Sequence, residues 1–219
     1  MSIKKIVQSF QEELDEKDRV REGVLLNSRT VIRLSKQAVM ATHRGELAEA
    51  ERFLGQALKS IDQIRGSSSK HQEFFYHGAV TAAFQEYAEA QTFYKLVKEG
   101  EFLDPKDFGI PTIPYLLGLG DIVGELRRRA LDRLRIGDLD GAEKCLQTME
   151  SIYSELVSLG SVYHVASNLR RKCDIARRLI EETRGDVTLE ARRDVLKRSL
   201  DDLEKRMAEK NSDSSSSEK

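Results

Sequence analysis

All three prolines of this 219-residue chain, Pro105, Pro111 and Pro114, fall in one short stretch. Proline removes a backbone donor and breaks helix interiors, so the chain on either side is free to form helices of unusual length. From residue 3 to about 44, Gly23 is the only interruption, and Ile6, Phe10, Leu14, Val20, Val24, Val31, Leu34 and Ala38 recur mostly three or four residues apart. This spacing predicts one long amphipathic helix, closed by Gly45, of a length that suits a coiled or inter-subunit role. No segment shows sustained period-two alternation with β-branched residues. The predicted fold class is therefore all-α.

Six further helices are predicted. They cover Leu47 to about Ile64, His71 to Lys98, Tyr115 to Ile136, a start after Gly137 (capped by Asp138) to Leu159, Tyr163 to Thr183, and a last one to Lys210. Arg65-Gly66-Ser67-Ser68-Ser69 reads as a turn, residues 100–114 as a connecting loop, and Gly185 as a helix stop. Asp104-Pro105 and Ile113-Pro114 read as helix starts, with proline in the first turn. The expectation is one domain over residues 1–210, a bundle of about seven helices with long antiparallel members, and a disordered polar tail over 211–219.

Charged residues make up 33% of the chain and hydrophobic ones 39%, which suits narrow apolar stripes with solvated outer faces. The formal net charge of -1 argues neither for nor against a nucleic-acid partner, so any binding surface must come from local clustering. Cys145 and Cys173 lack the spacing of a zinc site or a disulfide framework, which fits a reducing compartment. No apolar run nears the roughly 18 residues needed to span a bilayer, and no signal-peptide core follows Met1. The expected location is cytoplasmic, with no membrane partner.

Candidate chemistry lies in carboxylates on two helices. On the third, Phe75, Ala79, Ala82, Ala90, Phe93 and Val97 fall within about 40° of Glu86, and Glu89 lies about 60° away at the stripe's edge. A carboxylate within an apolar stripe is costly unless it is paired or neutralised. On the fourth, Asp121 and Glu125 are one turn apart and lie roughly opposite the arc of Leu116, Leu119, Val123, Leu126, Ala130 and Leu134. Gly118, Gly120 and Gly124 flank them, at about 1 kcal/mol each in helix propensity, a cost that close packing or backbone access would explain. Two readings fit: a carboxylate site for a divalent cation, or acids paired with basic residues and solvent.

These residues also carry a resemblance. Phe84-Gln85-Glu86-Tyr87-Ala88-Glu89-Ala90 is similar to the Gln-Glu-Tyr-x-Glu-Ala motif of Trax. Pro114-Tyr115-Leu116-Leu117-Gly118-x-x-Asp121-x-x-Gly124-Glu125-Leu126 resembles its segment Asp-Tyr-Leu-Leu-Gly-x-x-Asp-x-x-Gly-Glu-Leu, with Pro114 as a departure. The helix order and Arg184-Gly185 match as well. The chain thus resembles a Trax-type member of the translin family. The resemblance implies a metal-dependent endoribonuclease in a hollow homo-oligomer, with an octamer expected. It implies that Glu86, Glu89, Asp121 and Glu125 are the catalytic, metal-binding acids for Mg²⁺ or Mn²⁺. The expected substrate is single-stranded RNA, because a narrow site between helices does not admit a duplex easily; DNA is a second candidate ligand. The alternative is a non-catalytic, translin-like RNA- or DNA-binding oligomer.

Phosphate binding needs Lys and Arg on one surface. Arg19, Arg21, Arg29 and Arg33 punctuate the first helix, and Arg127, Arg128 and Arg129 adjoin the acids of the fourth. These seven are the candidate nucleic-acid contacts. A third cluster, Arg170-Arg171-Lys172 with Arg177 and Arg178, lies on the sixth helix. His43, His71, His77 and His164 show no ligand spacing. Tyr76, Tyr87 and Tyr94 read as core residues before base-stacking ones.

Overall fold

The computed structural model of the protein describes residues 2–68, 74, 78–163, 166 and 168–216. Six α-helices follow one another: α1 (Ile3–Arg44), α2 (Leu47–Ser68), α3 (Gly78–Glu99), α4 (Thr112–Arg135), α5 (Leu139–Ser158) and α6 (Leu169–Ser216), with 3-10 turns at Pro105–Phe108 and Gly160–Val162. Among the described residues there is no strand, as the missing period-two pattern predicts.

The local stop and start signals act as read. Gly45 takes a left-handed conformation (φ 78°) and its N–H closes α1 onto the carbonyl of Thr42. The Asp104 carboxylate accepts from Lys106 N at the turn opened by Pro105. That of Asp138 accepts from Gly141 N, capping α5.

Two apolar clusters build the interior. Val31, Ala38, Leu54, Ile61, Phe84 and Tyr87 join α1, α2 and one side of α3. Phe93, Ile122, Leu126, Met149, Leu169 and Ile180 join the other side of α3 to α4, α5 and α6. α3 is therefore central and buried on more than one face. Tyr87 and Tyr94 are core residues; Tyr76 lies outside the described residues. Helices α1 and α2 form an antiparallel pair, and α5 runs against both α4 and α6. Between α3 and α4 the 100–111 crossover brings the chain back, so those two run parallel. Arg65 pins the crossover, donating to the carbonyls of Phe108 (2.5 Å) and Gly109 (2.9 Å), and Tyr115 Oη donates to Leu103 O at 2.7 Å.

Several expected boundaries move. Helix α2 runs through the anticipated turn to Ser68, and α4 begins at Thr112 with Pro114 inside its first turn. The expected start of α3 at His71 lies outside the described residues. Two expected helices are one: α6 passes through Gly185 without a break. A lone glycine costs a helix only about 1 kcal/mol, and tertiary contacts on both sides of it offset that. Arg127 of α4 donates to Thr183 Oγ1 (2.8 Å) and pairs with Glu182 (3.2 Å) and Asp186 (3.4 Å), while Val187 is buried. The backbone is also helical over 211–216, where a disordered tail was expected, because α6 continues to Ser216; residues 217–219 lie outside the described residues.

Candidate functional site

The glycines of α4 set the geometry of the acidic cluster. A β-carbon on Gly118 would sit 3.0 Å from both Gln85 O and Glu89 N, and 3.1 Å from Ala88 Cβ. The backbones of α3 and α4 therefore touch where Glu86, Glu89, Asp121 and Glu125 emerge. A β-carbon on Gly120 would meet Lys172 Cβ and Cδ at 3.0 Å, so α6 also approaches closely there. Gly124 faces open space. Close approach explains the first two glycines and not the third.

Each acid has a distinct environment. Asp121 accepts from Gln85 Nε2 (2.7 Å) and is in ion-pair contact with Lys172 Nζ. Glu125 Oε2 lies 2.5 Å from Nε2 of His43, whose side chain is buried against the Phe93 ring. Glu86 is half-exposed, 3.8 Å from Lys36 Nζ. Glu89 has no hydrogen-bond or ion-pair partner among the described residues. Periodicity places Glu86 mid-stripe and Glu89 at the edge; the structure reverses their depths, because α4 packs over the Glu89 side of α3. Asp121 and Glu125, expected opposite the apolar arc, are half-buried, because Leu117, Gly118 and Ile122 of α4 are buried beside them.

The four carboxylates share one electrostatic environment. Burial, then the charges of Asp121, Glu86 and Glu125, push the Glu89 carboxyl up to about 8. Burial is also the leading cause for Glu86, which is raised against the pull of Lys36, with Asp121 and Glu125 adding to the rise. An all-oxygen donor set with unbalanced negative charge suits a hard divalent cation in kind. Among the described residues, no three His, Cys, Asp or Glu side chains converge closely enough to hold one. Lys172, His43 and Lys36 each pair with one of the other three acids, Asp121, Glu125 and Glu86.

His43 and Lys172 carried no signal of this role in the sequence. His43 is 82 residues from Glu125, and Lys172 was one cation in a run of three. Together with Gln85, Gly120, Asn168, Arg171 and Ile175, Asp121 and Lys172 line a cleft of about 330 Å³.

The structure separates the candidate basic contacts. Arg127 is tied to α6 by the contacts that span Gly185, so it holds the fold and is not free to meet a phosphate. Arg128 is exposed. Arg129 is half-buried, its guanidinium pKa lowered first by burial and then by Arg133, and among the described residues it has no carboxylate partner. Both line a cleft of about 510 Å³ with His43, Arg44, Asp132, Arg133, Arg135 and Ile136. Arg19, Arg21, Arg29 and Arg33 are exposed along α1, with Arg21 paired to Asp18 at 2.8 Å and Arg33 donating to Gln37.

Among the described residues, no helix is long and apolar enough to cross a membrane. Comparison with known proteins gives one consistent answer. An uncharacterized protein of Methanocaldococcus jannaschii is 31% identical over 175 residues, covering 80% of this chain and 78% of its own length. Translin-associated protein X of Pongo abelii is 25% identical over 203 residues, covering 74% of this chain and 70% of its own. A solved complex of AfC3PO with duplex RNA superposes with a TM-score of 0.77 at 31% identity, covering 84% of this chain and 96% of that one. The Translin family model matches residues 19–207, nearly the whole helical bundle, and the chain is a member of the Translin family.

Proposed function

We propose that this protein is a metal-dependent endoribonuclease acting within an oligomer, with its chemistry at Glu86, Glu89, Asp121 and Glu125. The observation that carries the reading is Glu89: a part-buried carboxyl with no hydrogen-bond or ion-pair partner among the described residues, raised by burial and by the charges of Asp121, Glu86 and Glu125, at the point where two helix backbones touch. Such a cluster is destabilising by itself and is relieved by a divalent cation. Glu89, Glu86, Asp121 and Glu125 would hold Mg²⁺ or Mn²⁺ once Lys172, His43 and Lys36 give way. The ion would supply Lewis acidity at the scissile phosphate. Lys172 and Arg171, in the cleft beside Asp121, neutralise the phosphodiester, and Arg128 and Arg129 bind the backbone further along. RNA as the substrate is supported by the related AfC3PO, solved with duplex RNA.

A second reading, an RNA- or DNA-binding oligomer without catalysis, is favoured by one observation: the carboxylates do not converge here. The two separate in one assay. Labelled single-stranded and duplex RNA is incubated with the protein in Mg²⁺, in Mn²⁺ and in chelator. The nuclease reading requires internal cleavage that chelator abolishes and that Glu89→Gln or Asp121→Asn lowers ~100-fold or more. Full cleavage by Glu89→Gln sinks it. Salt-sensitive binding with no cleavage by the unaltered protein leaves the second reading standing.

A further inference from the structure

One contact in the acidic cluster differs in kind from the lysine pairs. Lys172 and Lys36 carry charge that must give way to a divalent ion; Gln85 is neutral. Its Nε2 donates to Asp121 Oδ2 at 2.7 Å, while Lys172 Nζ holds Oδ1 of the same carboxylate. An ionised carboxylate only accepts, so the amide has to present its NH₂ group here. A cation arriving at Oδ1 meets no like charge at Oδ2. The Gln85 bond therefore persists when Lys172 leaves.

Donor and acceptor are both held by the tightest part of the α3–α4 contact. Gln85 O lies 3.0 Å from where a β-carbon on Gly118 would sit, and Asp121 follows three residues later on α4. Phe84 and Tyr87 beside Gln85 are buried, as are Gly118 and Ile122 beside Asp121. Neither helix slides past the other without opening the core. Among the described residues the Gln85 side chain makes no other hydrogen bond, so its amide serves Asp121 alone.

We propose that Gln85 is a positioning residue that limits Asp121 to one ligand oxygen and so sets the site against Ca²⁺. The inference rests on the reading above that these acids hold a divalent ion. Mg²⁺ demands near-octahedral geometry and keeps several waters, a need that a carboxylate meets with one oxygen. Ca²⁺ takes roughly 6–8 oxygens and readily uses both oxygens of one carboxylate. With Oδ2 committed to Gln85, Asp121 offers Oδ1 only. Ca²⁺ loses a ligand by this, and Mg²⁺ loses none. A neutral donor is what the position requires: a lysine there would add a cation to the site, and a glutamate would repel Asp121. Partners behind the ligands commonly tune a metal in this way, because they decide which atoms the ligands present.

Ion binding by the full chain without RNA tests this, since it does not depend on cleavage. Mn²⁺ uptake is followed by electron paramagnetic resonance, and Mg²⁺ or Ca²⁺ is then added to displace it. Asp121→Asn supplies the background from exposed carboxylates. Gln85→Met keeps the length of the side chain and removes the donor. It is expected to shift the ratio of affinities toward Ca²⁺ by roughly tenfold, with helical circular dichroism unchanged. Gln85→Ala should shift it the same way, which separates the lost donor from any effect of the thioether. An unchanged ratio in both variants overturns the assignment, and so does an equal loss of both ions, the mark of a purely structural role. No ion bound by the unaltered protein overturns it together with the reading beneath it. Metal-dependent RNA cleavage by the unaltered protein, alongside an unchanged ratio in the variants, overturns the role of Gln85 alone.

Discussion

Replacing Gly118 and Gly124 by alanine, one at a time, tests whether helix contact or helix economy placed glycine in α4. Each substitution gains about 1 kcal/mol of intrinsic helix stability. At Gly124 nothing lies within 4 Å of the new β-carbon, so that gain survives and the variant is more stable. At Gly118 the new carbon meets Gln85 O and Glu89 N at 3.0 Å. Those atoms belong to the backbone of a buried helix and cannot swing aside. Overpacking of this kind costs about 1–3 kcal/mol, which outweighs the propensity gain and leaves a net loss of about 1 kcal/mol. The two variants should therefore differ by about 2 kcal/mol with opposite signs, equivalent to roughly 4–8 °C in Tm for a chain of this size. Urea titrations at one fixed protein concentration measure the difference without a change in assembly confusing it. If Gly118→Ala proves as stabilising as Gly124→Ala, the α3–α4 backbone contact is not what positions the acids.

Arg127→Ala should cost about 1–2 kcal/mol in the same titration, chiefly through the lost Thr183 hydrogen bond and stem packing, because Glu182 and Asp186 are largely solvent-screened. Arg128→Ala should leave stability unchanged but weaken RNA binding and lower the salt slope of log affinity by about 1; an unchanged slope would remove Arg128 from the interface. Glu89 gives a pH signature in chelator. Its folded-state value of about 8 lies above the ordinary 4.5, so between these pH values the folded chain binds more protons than the unfolded one. Stability contributed by this group is full below 4.5 and is lost as pH rises through 8. Glu89→Gln should flatten that slope, and an equal slope in the variant would show that another group is responsible.

Much of this molecule was legible before folding. Helix class and the caps at Gly45, Asp104 and Asp138 follow from the backbone preferences of single residues and from side-chain spacing, which act over one or two turns; for the four acids, spacing left a cation site and ordinary ion pairs both open, and the motifs shared with Trax singled them out. Which depth each acid occupies did not follow. One helical wheel shows one face, whereas α3 is packed on several, so Glu89 lies deeper than Glu86. Gly185 ended a helix by local rules, yet Arg127 and Val187 carry α6 through it. His43 reaches Glu125 and Lys172 reaches Asp121 only because the 100–111 crossover sets α4 parallel to α3 and brings α1 and α6 to the same level. Short-range hydrogen bonding is written in neighbouring residues; charge compensation inside a bundle depends on elements that meet only after the chain has turned back on itself.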